Sequence, residues 1–440
     1  MRNNLLLNTD SYKASHWLQY PPGTDYVYSY VESRGGDYDK LVFFGLQAFI
    51  KEYLLHPITA RDIEEAAYFW KQHGEPFNRA GWNYILNEYD GFMPVEIRAL
   101  PEGKVVGNRR VLLTIVNTDR KCFWLTSYLE TALLRAIWYP TTVATISWHI
   151  KQTIKGYLEE TGDVSLLPFK LHDFGARGVS SNESAALGGM AHLVNFMGSD
   201  TVAGVRAAKE YYDEPMAAFS IPAAEHSTIT TWGRDEEGET AAYENMLDQY
   251  AKPGSILAVV SDSYDIFKAC DKIWGQRLKQ RVIDSGATVV IRPDSGDPVM
   301  TTLRVIQILD ERFGHTVNDK GFKVLNNVRI IQGDGVNPLS INSILMNYRA
   351  HGYSADNIAF GMGGALLQHM NRDTLQFAMK ASAIMVNGEW RDVSKNPVGQ
   401  PEKASKGGRF LDDSELEVVY MPCCLKRNMT FAEVRANSNL

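Results

Sequence analysis

His226 stands in the run Ser220-Ile221-Pro222-Ala223-Ala224-Glu225-His226-Ser227-Thr228-Ile229-Thr230, among hydroxyls and a carboxylate. Imidazole has the side-chain pKa nearest neutrality and can serve as proton carrier or nucleophile. The apolar run Ala217-Ala218-Phe219 ahead of it reads as a buried strand end, and Pro222 keeps that strand from continuing into a sheet. A lone histidine in such a loop is more often simply hydrogen-bonded at a helix start. Other strand ends of this chain, however, carry similar cargo. Asp262, Asp294 and Asp334 each follow an apolar run, with Arg292 beside the second. Taken singly, such an aspartate is a helix cap or a turn former. Together on one rim they crowd like charges unless a cation or ribose hydroxyls lie among them. Mg²⁺ bound by one or two carboxylates plus ligand phosphates is the natural solution, which makes Asp262 and Asp294 the candidate ligands. Arg177 and Arg372 add fixed positive charge. Gly333-Asp334-Gly335 and Gly361-Met362-Gly363-Gly364 put small residues ahead of helical segments, where backbone amides can approach a phosphate. A rim of this composition suits a phosphorylated sugar.

Several other chemistries fall away. Gly361-x-Gly363 lacks the third glycine of a dinucleotide fingerprint, because Leu366 occupies it. Asp173-Phe174-Gly175 matches a kinase triplet, but no H-R-D or V-A-I-K segment accompanies it. There is no G-x-S-x-G elbow and no H-E-x-x-H zinc helix. The net charge of −7 gives no overall excess of Lys and Arg to displace counterions, so nucleic acid is not the expected partner. Cys122, Cys270, Cys423 and Cys424 form no C-x-x-C pair, which fits free thiols in a reducing compartment. The apolar run Leu5-Leu6-Leu7 is too short for a signal peptide, and no stretch approaches the length of a membrane span. The expectation is a cytoplasmic, soluble protein without membrane association.

The elements that must position these groups are legible from about residue 165. Apolar runs recur at Phe169–Gly175, Leu193–Phe196, Ala217–Ser220, Ile256–Asp262, Thr288–Asp294, Val328–Asp334 and Ile358–Gly361, each followed by a helix-like segment. Continuous Val/Ile runs indicate parallel strands buried on both faces. A closed or nearly closed α/β barrel follows, with its chemistry at the carboxyl ends of the strands. The first third reads differently. Tyr26–Glu32, Pro94–Leu100 and Val111–Val116 alternate as antiparallel strands, Phe43–Leu55 and Thr59–His73 as helices, and a long helix from Cys122 to Glu160 breaks near Tyr139-Pro140. After Lys380 come a hairpin at Asn387-Gly388, a strand at Leu416–Tyr420 and a capping box at Thr430–Glu433. The basic, Gly/Pro-rich loop Lys395–Arg409 reads either as a solvated loop or as a gate for an anionic ligand. Two domains are expected: residues 1–150 plus 381–440 as a discontinuous β-rich α+β domain, and residues 151–380 as an incomplete parallel α/β barrel.

Eight segments carry a family resemblance, in order along the chain from residue 5 onward. They are Asp10–Lys13, His172–Ser181, Gly198–Gly204, Pro222–Thr230, Ser261–Asp265, Arg292–Gly296, Gln332–Val336 and Ala359–Gly364. The chain resembles the nicotinamide phosphoribosyltransferase family, whose fold is the type II phosphoribosyltransferase: an incomplete α/β barrel with a β-rich domain, assembled as a homodimer. The resemblance implies that nicotinamide and 5-phosphoribosyl 1-pyrophosphate become nicotinamide mononucleotide and pyrophosphate, with Mg²⁺. It also implies that ATP phosphorylates His226. Phe174 and a Tyr12 from the partner subunit would sandwich the pyridine ring at the subunit interface, and Arg177 would donate to the carboxamide oxygen. Asp294, Gly333 and Asp334 would hold the ribose. Gly363, Gly364 and Arg372 would bind the 5′-phosphate, and Arg292 would lie near the pyrophosphate. Ser220 falls in the substrate site, and Lys380, Lys395 and Lys403 would be phosphate-side contacts.

Asp200 would accept hydrogen bonds from the amide of nicotinamide and repel the carboxylate of nicotinate. Against the family pattern, Ala378 stands where a serine is expected near the phosphate loop, and Ala176 where an aromatic is common. The chain is also shorter than animal members, as a bacterial or phage-type version would be. The rival readings are a nicotinate phosphoribosyltransferase, which should lack Asp200; a barrel aldolase or isomerase, which needs a strand-end lysine or paired acid and base; and a non-catalytic binder, which has no use for His226 and the arginines.

Overall fold

The Val/Ile-rich runs become a six-stranded, wholly parallel sheet in a computed structural model that describes residues 4–400 and 403–439. From one edge the strands are Gly198–Ser199, Leu171–Asp173, Ile358–Met362, Val328–Gln332, Thr288–Arg292 and Ile256–Val260. Neighbours are in parallel register throughout. The two edges are joined by one irregular segment. Phe219 bridges Gly198 at one edge, and Ala223 bridges Ala258 at the other. Pro222 lies between, with no N–H to donate, yet its carbonyl still accepts from the Ala258 N–H at 2.9 Å. The sheet therefore curls into an incomplete barrel whose gap is spanned by Phe219–Ala223. Ala258, Val290 and Ile331 fill the interior, with Ile221, Ala359 and Phe174 packed against them.

Two of the expected strands differ. Leu193–Phe196 is the C-cap and turn that follow helix Asn182–His192, and the strand comes later, at Gly198–Ser199. A four-residue apolar run carries too little periodicity to separate a buried helix end from a buried strand. Ala217–Ser220 forms no ladder of its own and joins the sheet through a single bridge at Phe219. The helices that follow the strands start on side-chain caps. Ser181 accepts from the Ser184 N–H, Asp297 caps Pro298–Phe313, and Asn337 caps Pro338–Ala350. Proline at the first helical position of the last two costs nothing, since that N–H has no intrahelical partner.

A second compact unit is built on an antiparallel seven-stranded sheet. Its order is Glu389–Asp392, Phe377–Val386, Thr24–Ser33, Val111–Asn117, Val95–Ala99, Glu417–Met421 and Cys424–Leu425. The C-terminal strands thus join the N-terminal ones in a single sheet. Asn387 and Gly388 both adopt positive φ, as the expected two-residue hairpin turn requires. Capping boxes at Thr59/Asp62 and Thr430/Glu433 open their helices as read.

The units comprise residues 1–145, 207–215 and 370–440, and residues 146–206 and 216–369. These boundaries lie at 145 and 370 rather than the expected 150 and 380, and residues 207–215 join the first unit. The first boundary falls inside one continuous helix, Leu125–Thr161, which passes through Pro140 without the expected break. Threonine hydroxyls take up carbonyls around the proline: Thr142 donates to Trp138 O at 2.6 Å, and Thr145 to Thr141 O at 2.7 Å. The Phe43–Leu55 helix begins only at Leu46, after the left-handed Gly45, and ends in a wider turn over Ile50–Leu54. Pro401 and Glu402 of the basic loop lie outside the described residues.

Candidate active site

The carboxyl ends of the parallel strands bring the sequence-derived groups of this unit onto one rim. Strand Leu171–Asp173 ends in a turn that turns out Phe174, whose N–H donates to Met362 O on the next strand at 3.0 Å. The ring crowds a neighbouring glycine: a Cβ on Gly361 would stand 1.9 Å from it. One strand further, a Cβ on Gly333 would come 3.0 Å from Asp294 Oδ1, 3.7 Å from the Phe174 ring and 3.8 Å from Arg292 Nε. Glycine at both positions leaves room for the ring and the two charged groups to converge. Gly363 and Gly364 follow on the Phe174 side, and a Cβ on Gly363 would stand 3.6 Å from Phe174 O.

A hydrogen-bonded chain runs from His226 to Arg292. His226 opens the short helix His226–Thr230, and its Nε2 lies 2.8 Å from Asp262 Oδ1. The other Asp262 oxygen accepts from the Asp294 N–H at 3.0 Å and the Ser295 hydroxyl at 2.6 Å. Asp294 in turn pairs Oδ2 with Arg292 at 2.9 Å. The Asp262 side chain is 3% exposed and that of His226 46%, so a buried carboxylate orients a reachable imidazole. With Nε2–H donated to Asp262, the lone pair lies on Nδ1. On the other side of the rim, the Ser220 hydroxyl donates to Asp200 Oδ1 at 2.6 Å, and the Asp200 N–H donates to Asp173 O at 2.9 Å. Arg177 sits in the turn Ala176–Gly178, and Asp334 beyond Gly333; both are exposed.

Behind these groups two side chains depart from their ordinary titration. Burial pushes the Asp173 carboxyl up to about 6; the Gly175 N–H opposes this, and the Asp200 charge adds to it. Burial also lowers His172, whose Nε2 faces Phe169 O at 3.0 Å.

Among the described residues no group of three or more His, Cys, Asp or Glu side chains is placed to hold a metal ion. Both Asp262 oxygens are engaged by protein donors, which leaves Asp294 Oδ1 as the rim carboxylate oxygen of the proposed pair without a hydrogen bond. These residues fit Mg²⁺ in one way, as an ion shared between a single carboxylate oxygen and a ligand's phosphates.

Residues 169–423 match the model of the nicotinate phosphoribosyltransferase (NAPRTase) family, and residues 4–97 that of the nicotinamide phosphoribosyltransferase N-terminal domain. A nicotinamide phosphoribosyltransferase of Xanthomonas campestris pv. campestris is 60% identical over 93% of this chain and 87% of its own length. The chain belongs to the nicotinamide phosphoribosyltransferase family. The Acinetobacter baylyi member is 34% identical over 90% of this chain and 85% of its own. Human nicotinic acid phosphoribosyltransferase shares the fold, with a TM-score of 0.57 at 15% identity over 98% of this chain and 92% of its own. The family fold is thus the incomplete parallel barrel with a β-rich second unit, as the strand pattern implied.

The remaining family positions, Tyr12, Arg372, Lys380, Lys395 and Lys403, belong to the antiparallel unit. Tyr12 is 55% exposed and meets His16 edge-on at 4.9 Å. Arg372 pairs with Asp373 at 3.2 Å. Lys380 lies on strand Phe377–Val386 opposite Tyr30, and burial lowers its pKa. The positive charges of Lys395, Arg34 and Lys13 press the same way, against Glu130. Ala378 is buried on the same strand, facing Glu32 across the ladder, and brings no hydroxyl. Sequence reasoning gave no role to Ser295 or Asp173. Both stand inside motifs that carry the family resemblance, but nothing in the spacing singles them out, and Gly361 was read only as part of a phosphate-approaching glycine loop.

Proposed function

We propose that the protein transfers the phosphoribosyl group of 5-phosphoribosyl 1-pyrophosphate to nicotinamide, giving nicotinamide mononucleotide and pyrophosphate for pyridine nucleotide synthesis. One observation carries nicotinamide over nicotinate: Asp200, an ionisable carboxylate on the rim, held on one oxygen by Ser220. Its other oxygen can accept from an amide NH₂, whereas a carboxylate substituent there would meet like charge.

The pyridine nitrogen is a neutral nucleophile. Its lone pair forms the bond to the anomeric carbon as the bond to the pyrophosphate oxygen breaks, and no proton moves. The site's task is therefore positioning and charge stabilisation. Phe174 would stack on the base, paired with Tyr12 of the partner subunit, while Arg177 would donate to the carboxamide oxygen. Asp294, fixed by Arg292 and by Asp262 through its N–H, would receive ribose hydroxyls with Asp334 and the Gly333 backbone. Gly363 and Gly364 would cradle the 5′-phosphate. Asp294 would help hold Mg²⁺, which would supply neutralisation of the charge on the leaving group. Arg372, Lys380, Lys395 and Lys403 join the phosphate contacts on the resemblance alone, as does the homodimer.

His226 would accept the γ-phosphoryl group of ATP. Nδ1 forms the N–P bond, the bond to the ADP oxygen breaks, and Nε2–H stays on Asp262. Four free cysteines support a reducing, cytoplasmic setting, and among the described residues no helix is long and apolar enough to cross a membrane. The test is a product assay with nicotinamide or nicotinate, 5-phosphoribosyl 1-pyrophosphate and Mg²⁺, with and without ATP. Nicotinamide mononucleotide should form, faster with ATP; turnover of nicotinate alone would overturn the reading.

A further inference from the structure

Asp173 is the last residue of its strand, and its side chain is fully buried, facing away from solvent directly behind the Phe174 turn. Oδ1 accepts the Gly175 N–H at 2.7 Å, closing a tight loop around Phe174. A Cβ on Gly189, from helix Asn182–His192, would stand 3.3 Å from Oδ2. Oδ2 has no hydrogen-bond partner among the described residues, and neither does the nearby Thr201 hydroxyl. The Asp173 carbonyl meanwhile receives the Asp200 N–H. One residue therefore holds both the stacking ring and the amide-reading carboxylate: the first through its side chain, the second through its backbone.

Nothing in the transfer chemistry uses this carboxyl. A buried, half-satisfied acid is costly to keep, and a residue that breaks the rule of full polar satisfaction beside an active site points to function. An aliphatic side chain would fill the same space without an orphaned oxygen but could not hold the Gly175 N–H.

We propose that Asp173 is a positioning residue for the pyridine base: its hold on the Gly175 N–H keeps the Phe174 ring in register with Asp200, so it governs binding of nicotinamide and leaves binding of the phosphorylated sugar alone. The proposal rests on the nicotinamide reading above. It adds a residue that touches no substrate atom yet sets the distance between the two groups that do.

The test uses Asp173→Asn and Asp173→Ala in the full chain, with KM for each substrate measured at saturation of the other. Asparagine retains an oxygen for the Gly175 N–H, and its amide can donate to Thr201. It should stay within about threefold of the parent in nicotinamide KM. Alanine frees the turn and should raise nicotinamide KM about tenfold or more, with the KM for 5-phosphoribosyl 1-pyrophosphate changed less than about twofold and phosphoryl labelling from ATP unchanged. If the alanine variant does not fold, Asp173→Ser replaces it. A serine hydroxyl makes the same two-residue bond more weakly and should fall between asparagine and alanine. Equal rises in both KM values, an unchanged nicotinamide KM, or an asparagine variant as impaired as alanine would each overturn the proposal. A parent enzyme that makes no product from nicotinamide would instead sink the functional reading, before any variant is compared.

Discussion

Replacing Asp173 by asparagine should stabilise the fold at neutral pH, and the gain should shrink in acid. Burial lifts this carboxyl from its ordinary 3.8 to about 6, so the folded chain binds its proton more tightly than the unfolded chain does. The contribution of the protonated group is complete below the unfolded pKa and is lost as pH rises through the folded one. A shift of about two units is worth ~3 kcal/mol at its limit. Between pH 5 and pH 8 the loss is about 1 kcal/mol, because at pH 5 the unfolded carboxyl is already ionised while the folded one is not. Asparagine keeps the Gly175 contact and has no charge to bury, so this dependence disappears. In a unit of this size the difference corresponds to roughly 4 °C in melting temperature. Thermal unfolding of parent and variant at pH 5, 6, 7 and 8 reads it directly. Variant minus parent should climb with pH and level off above about 7. A difference that stays flat across that range would refute the assignment of a buried, raised carboxyl. One that falls with pH would reverse its sign.

Three substitutions probe the rim itself. Asp200→Ser removes the amide acceptor, and the preference for nicotinamide over nicotinate should drop about ten- to hundredfold, the range for a hydrogen bond to a charged group. A ratio of kcat/KM values equal to the parent's would remove Asp200 as the discriminator. Incubation with γ-labelled ATP should mark the parent on the Nδ1 nitrogen and leave His226→Ala unmarked, and comparable labelling of both would place the acceptor elsewhere. Gly361→Ala puts a Cβ 1.9 Å from the present position of the Phe174 ring, which must then move. Nicotinamide KM should rise about tenfold or more, and a KM within twofold of the parent would mean that the ring does not hold the base.

The parts of the fold visible in the sequence were those set by local rules. Alternation and continuous apolar runs gave the antiparallel and parallel strands, and capping boxes at Thr59 and Thr430 fixed helix starts. Phe219–Ala223 was half legible. Its apolar residues looked like a strand, but its pairing depends on two edges far away in sequence, which it joins through single bridges. Pro140 misled because the helix Leu125–Thr161 runs through it unbroken, which a local rule cannot foresee. The site was legible as a set of strand ends, since Asp262, Asp294 and Asp334 repeat one position of the βα unit. Their partners were not. Asp262 read as a metal ligand, and only tertiary structure puts one of its oxygens on His226 and the other on the Asp294 N–H and Ser295. The burial of Asp173 was not legible, because it arises only when helix Asn182–His192 closes behind it through Gly189.

These contacts also bear on why the site has charged groups in quantity but no obvious acid or base for the transfer. A reaction that moves no proton gains nothing from a side chain poised to exchange one, and it gains most from dipoles that need not reorient as charge develops. The rim has that character. Asp200 is held by Ser220, Asp294 by Arg292, and Asp262 by three separate donors. Each bond fixes a charge before substrate arrives. The imidazole of His226 is the exception: it is reachable, and it is tied on Nε2 alone. An ATP-driven phosphoryl step would use a nitrogen that ribosyl transfer has no need of. Because Asp262 ties that imidazole to the backbone of Asp294, a change at His226 has a short physical route to Asp294, proposed above to hold the ribose, two hydrogen bonds long.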